Sequence, residues 1–91
     1  MILRIVTEDK NSAFVEELVA RYFPSFLFFR GVEYGKGTKD SILTIEISLS
    51  PLDVSIDESA VKGEQLAQAI KKLNKQETIL MQLINSHNVV L

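Results

Sequence analysis

Ninety-one residues, 46% hydrophobic and 24% charged, suit one globular domain with a thin core rather than a disordered or multidomain chain. A net charge of −2 gives no strong electrostatic case for a nucleic-acid partner, and the absence of cysteine excludes disulfides and thiolate zinc sites. No apolar run approaches the roughly 20 residues needed to cross a bilayer.

The opening residues, Met1-Ile2-Leu3-Arg4-Ile5-Val6, lack the charged flank and long apolar stretch of a secretory signal and read as a first strand of a cytosolic, cytoplasmic protein. Over 2–7 the apolar residues alternate by two, with Leu3, Ile5 and Thr7 on one face and Ile2, Arg4 and Val6 on the other. Two mostly apolar faces suit a central strand. Asn11 or Ser12 can cap a first helix, in which Phe14, Val15, Leu18, Val19 and Tyr22 form the apolar stripe. Pro24 disfavours helical geometry at Phe23, so the helix ends there.

The period returns to two over 25–33 and 41–49, giving a second and a third strand. Leu43, Ile45, Ile47 and Leu49 share one face of the third, and Ile42, Thr44, Glu46 and Ser48 the other. Between them Tyr34-Gly35-Lys36-Gly37-Thr38-Lys39-Asp40 carries two glycines able to take positive φ, which predicts a mobile hairpin loop. Residues 50–63 are irregular in pattern: Val54-Ser55-Ile56 reads as a short extra strand, Asp57 or Ser59 as a cap, and Gly63 as a delay to the next helix. That helix buries Leu66, Ala67, Ile70 and Leu73 and stops at Asn74. A fourth strand follows over 78–84, then a turn at Asn85-Ser86-His87-Asn88 and a short final strand over 89–91.

The order β-α-β-β-α-β is that of a ferredoxin-like split βαβ, an α+β domain with two helices on one face of an antiparallel sheet. The other face is left bare. It is expected to carry Glu46 and either Phe26 and Phe28 or Leu27 and Phe29, with Arg4 and Arg30 able to share it.

No catalytic or metal-binding constellation stands out on this frame, and no cofactor is implied. His87, the only histidine, falls in a turn and reads as a solvated side chain. Asp53, Asp57 and Glu58 lack the ligand spacing and glycine of a calcium loop. Gly35-Lys36-Gly37-Thr38-Lys39 opens no helix, so it is no P-loop, although Lys36 and Lys39 offer a weak anion site. Phe23, Phe26, Phe28 and Phe29 lack the interleaved basic residues of a base-stacking sheet and suit packing or a sheet-to-sheet contact.

Two stretches resemble a pattern in small phage and mobile-element proteins of ferredoxin-like arrangement. One is Gly35-Lys36-Gly37-Thr38-Lys39-Asp40-Ser41-Ile42-Leu43-Thr44-Ile45-Glu46-Ile47, in which Asp40 stands where those proteins often have glutamate before the serine; the other is Leu73-Asn74-Lys75-Gln76-Glu77-Thr78-Ile79-Leu80. The resemblance implies the fold and a mobile-element origin, without a chemistry. Ser41 suits a bond to local backbone, and Gln76 a bridge between helix end and sheet. A ligand site, if assembled, draws on Arg30, Tyr34, Lys36, Lys39, Ser41, Glu46 and Gln76.

The leading expectation is a non-catalytic binding or interaction protein, homo-oligomeric through the bare sheet face or an edge strand, which inhibits a host protein or sequesters a small, anionic molecule. The alternatives are a small enzyme with acid-base chemistry between subunits, at Glu46 or His87, and a nucleic-acid binder if Arg4, Arg30, Lys36 and Lys39 converge.

Overall fold

A computed structural model of the chain describes residues 1–49 and 56–84. Its elements are β1 (Ile2–Glu8), α1 (Ser12–Tyr22), β2 (Leu27–Tyr34), β3 (Lys39–Ser48), α2 (Ile56–Asn74) and β4 (Leu80–Ile84). All strand pairs are antiparallel, in the order β2-β3-β1-β4, so the domain is the ferredoxin-like α+β arrangement expected from the changes of period.

Strand pairing fixes which side chains share a face. Leu3 lies opposite Ile47 and Ile5 opposite Ile45, and these residues are buried against Val15 and Val19 of α1 and Leu66, Ala67 and Ile70 of α2. The other face, which no helix covers among the described residues and which is called the bare face below, carries their neighbours in the alternation: Ile2, Arg4 and Val6 of β1, Ile42, Thr44 and Glu46 of β3, Leu27 and Phe29 of β2, and Leu80 and Gln82 of β4. The register therefore selects Leu27 and Phe29 for that face. Phe26 and Phe28 meet edge to face, 6.5 Å between ring centres, and pack against the core.

Helix ends depart from expectation in instructive ways. At the start of α1, Asn11 takes the left-handed conformation (φ 53°) and makes no capping bond with its side chain, while the Ser12 hydroxyl accepts from Arg30. Of the expected stripe, Val15 and Val19 are buried, but Phe14 is 64% exposed, because α1 lies with a narrower edge toward the sheet. The helix ends at Tyr22, and Phe23 is extended before Pro24, as the steric restriction on that residue requires. In α2, Asn74 rather than Leu73 faces the interior. Lys75 adopts positive φ (52°), with Gln76 N–H bonding to Lys71 O at 3.1 Å and Lys75 N–H to Lys72 O at 3.3 Å, the paired bonds of a Schellman ending.

The hairpin between β2 and β3 is shorter than expected, because the strands run on to Tyr34 and from Lys39. Gly35 and Thr38 exchange backbone hydrogen bonds at 3.0 and 3.4 Å, and only Gly37 needs positive φ (77°), so the turn is closed rather than a loose loop. In turn β4 starts at Leu80, two residues after the alternation begins. The extra strand at 54–56 is not formed at Ile56, which opens α2; neither Asp57 nor Ser59 is a cap, since both lie inside that helix. Asp53, His87, the turn 85–88 and the strand expected over 89–91 lie outside the described residues.

Gly63 does not delay α2 but sits within it, at a cost of about 1 kcal/mol relative to alanine in a helix. Contact with the sheet explains it: a Cβ there would stand 2.5 Å from Leu3 Cδ2, and Leu3 is fully buried. The missing side chain lets α2 settle directly on β1. Gly63→Ala is expected to lower stability by roughly 1 kcal/mol net, overpacking outweighing the gain in helix propensity. Adding Leu3→Val should recover part of the loss in urea unfolding; a Gly63→Ala variant more stable than the parent contradicts this account.

Candidate functional site

A cavity of about 650 Å³ opens at the end of the sheet where β1 finishes and β3 and β4 begin. Those elements bring Thr7, Ser41 and Gln76 together with the apolar Val6, Ile42 and Leu80. Its charge is one-sided: Glu8, Asp9, Glu33 and Asp40 line it, with Lys10 the one cationic side chain among the described residues of the lining. Lys10 pairs with Glu8 at 2.9 Å, and Asp9 with Arg30 at 3.5 Å. Glu33 and Asp40 have no cationic partner among the described residues, and the register places them directly opposite each other on adjacent strands. Like charges so placed destabilise a sheet by several tenths of a kcal/mol, so a bound cation there would relieve a cost built into the fold.

The inner wall is a chain of amide and hydroxyl bonds. Thr7 Oγ1 donates to Gln76 Oε1 at 2.6 Å, Asn74 Nδ2 donates to the same oxygen at 3.1 Å, and Gln76 Nε2 donates to Thr78 O at 2.7 Å. Gln76 thus ties the end of α2 to β1. Ser41 lies across the cavity, its carbonyl accepting the Asp9 N–H at 3.1 Å.

The bare face is a second surface of note. At its centre Arg4 grips Glu46, with Nε at 2.8 Å and Nη2 at 2.6 Å from Oε2, and a shallow hollow there also touches Val6, Phe29, Thr44 and Gln82. On the same face Leu27, Phe29 and Leu80 are 64, 46 and 50% exposed. Among the described residues no group of three His, Cys, Asp or Glu side chains is placed to hold a metal ion, and no helix is long and apolar enough to cross a membrane.

Of the residues singled out in the sequence, Ser41 and Gln76 share the cavity, while Glu46 lies on the bare face with Arg4. Arg30 does not join them. It projects to the helix side, where it meets Asp9 and Ser12, because Arg30 is out of phase with Leu27 and Phe29 in the alternation. Tyr34, Lys36 and Lys39 stay in or beside the hairpin and are not part of the cavity lining. Arg4 and Arg30 occupy opposite faces, so the four cations that would favour nucleic acid do not converge. The sequence does not single out Thr7, Glu33 or Asn74 as site residues. The legible signal for Thr7 was a hydroxyl in the run Leu3, Ile5, Thr7, where a buried polar group needs a partner.

No protein-family model matches this sequence, and no curated protein does. Solved structures do match in fold. A phage SAM lyase in complex with S-methyl-5'-thioadenosine is 18% identical, with 88% of this chain and 76% of that chain covered and a TM-score of 0.62. A phage SAM lyase in the apo state is 16% identical over 96% and 91% of the two chains, with a TM-score of 0.56. CutA1 from Pyrococcus horikoshii is 19% identical over 99% and 87%, with a TM-score of 0.51. At these identities the likeness establishes a shared ferredoxin-like fold.

Proposed function

We propose that the acidic cavity binds a small cationic nucleoside of the S-adenosylmethionine type, and that the protein removes this metabolite from solution, as a phage or mobile-element accessory would. The observation that carries the reading is the opposed pair Glu33 and Asp40 at the rim of a 650 Å³ cavity, a volume within the range of small-molecule sites. A sulfonium centre, positive and weakly hydrated, suits two carboxylates that no side-chain cation neutralises among the described residues. The small anionic ligand expected from Lys36 and Lys39 suits this lining less well, since neither lysine takes part in it.

Removal can proceed by sequestration or by cleavage. In cleavage, an oxygen of the ligand's own carboxylate attacks the side-chain carbon bonded to sulfur: a C–O bond forms and closes a lactone as the C–S bond breaks, the bonding pair stays on sulfur, and a neutral thioether leaves with no proton transferred. The fold shared with a phage SAM lyase that holds S-methyl-5'-thioadenosine supports the same ligand class.

The oligomer belongs to this reading. Leu27, Phe29 and Leu80 form a sheet face that a second copy would cover, and the Arg4–Glu46 pair at its centre presents both charge signs to a self-complementary contact. Val6, Ile42 and Leu80 belong both to that face and to the cavity lining, so a neighbouring copy would also roof the ligand.

Titration calorimetry with S-adenosylmethionine, paired with mass-spectrometric detection of S-methyl-5'-thioadenosine, tests the ligand. Binding is expected, with affinity reduced roughly tenfold in Glu33→Gln or Asp40→Asn and weakened by added salt. No binding at millimolar ligand sinks the proposal; binding without product selects sequestration. Phe29→Glu should turn an oligomer into a monomer in light scattering at micromolar concentration, and a wild-type chain that is already monomeric there overturns the assembly.

A further inference from the structure

Gln76 is a polar group of the cavity whose orientation is dictated from three sides. Nε2 sits 2.7 Å from the main-chain oxygen of Thr78, and a carbonyl only accepts, so the atom facing it is the nitrogen and the other is the oxygen. Oε1 is thereby turned inward to accept from both Thr7 Oγ1 and Asn74 Nδ2. Asn74 is held in its turn, its Oδ1 accepting from Asn11 Nδ2 at 3.1 Å. Asn11 is the left-handed residue that fails to cap α1 with its side chain; its amide is committed to this relay instead.

Thr7 and Asn74 are 3 and 4% exposed, so their polar atoms have no water to fall back on and each bond in the relay is costly to lose. With two donors on Oε1 the carbonyl is occupied. On the nitrogen, one N–H serves Thr78, and the second has no partner among the described residues. Gln76 lines the cavity.

We infer that Thr7, Asn74 and Asn11 are positioning residues that hold the Gln76 amide so that it offers the cavity an N–H donor and withholds its carbonyl. The occupant therefore meets Gln76 with an acceptor, such as a ring nitrogen, a hydroxyl or a carboxylate oxygen. Ligand identity rests on the proposal above; the clamp is a property of the ligand-free chain.

Side-chain amide NMR of the whole chain tests it. In ligand-free wild type the two Gln76 N–H resonances should exchange with water at different rates, the one bonded to Thr78 being protected. Thr7→Val, close in shape, removes a donor and should bring the two rates together, whereas Thr7→Ser should keep them apart. Equal exchange in wild type overturns the inference without any ligand. On adding S-adenosylmethionine the unprotected N–H should shift and the protected one stay; Thr7→Val should bind about five- to tenfold more weakly, with Thr7→Ser close to wild type. Binding that leaves the Gln76 resonances unmoved, or that Thr7→Val does not weaken, overturns the clamp and leaves the acidic-cavity reading intact. If S-adenosylmethionine does not bind, that reading falls, and the ligand-free exchange rates decide the clamp: unequal rates in wild type that Thr7→Val brings together support it, and equal rates in wild type, or rates that Thr7→Val leaves apart, overturn it.

Discussion

The contact on which this molecule depends is the one between the helix layer and β1. That strand sits between β3 and β4, so both its edges are hydrogen-bonded, and its odd-numbered side chains are roofed by α2, which approaches at Gly63. Period-two geometry then leaves no freedom elsewhere: burying Leu3 and Ile5 forces Arg4 and Val6 onto the bare face, and pairing carries the same phase outward to β3, β4 and β2. The buried face is uniformly apolar until Thr7, where the strand leaves the helix layer. There the core gives way to the polar relay that begins the cavity.

The element order is legible in the sequence because helix and strand impose different periods on the side chains that face the core. Local chemistry at the element ends was less legible. Asn11 has the composition of a cap, yet its amide does more when spent on Asn74, a residue 63 positions away that no local pattern reveals. Gly63 has the composition of a helix breaker, yet the packing of one core leucine makes it the residue that fits. Phe14 occupies a stripe position on a helical wheel, but a helix lying on a sheet buries a narrower arc than the wheel suggests.

The candidate site was partly readable. Ser41 and Gln76 stand in the two stretches that resemble the phage pattern, and both line the cavity. The sequence allows Arg30 either face, since faces in β2 depend on register with β3 and a one-residue difference in phase reverses every side chain; opposite Leu43 it lies on the helix side. The opposed carboxylates could not be seen beforehand for the same reason: Glu33 and Asp40 look like separate surface charges until the closed turn of Gly35 and Thr38 sets them face to face.

That closed turn links stability to the charge of the cavity. A tight hairpin has few registers, and this one fixes Tyr34 against Lys39 and Glu33 against Asp40. The outer pair places a cation beside an aromatic hydroxyl, while the inner pair places two anions together, so the unfavourable pairing is inward, at the cavity, and not at the exposed tip. Exposure of both carboxylates to water keeps the cost of their proximity small enough for the fold to carry. Anything that excludes water from the rim, a ligand or a neighbouring copy over the bare face, raises that cost unless it also brings positive charge. The charge of the rim thus follows from a backbone register, which the Gly35–Thr38 backbone bonds and the positive φ of Gly37 set.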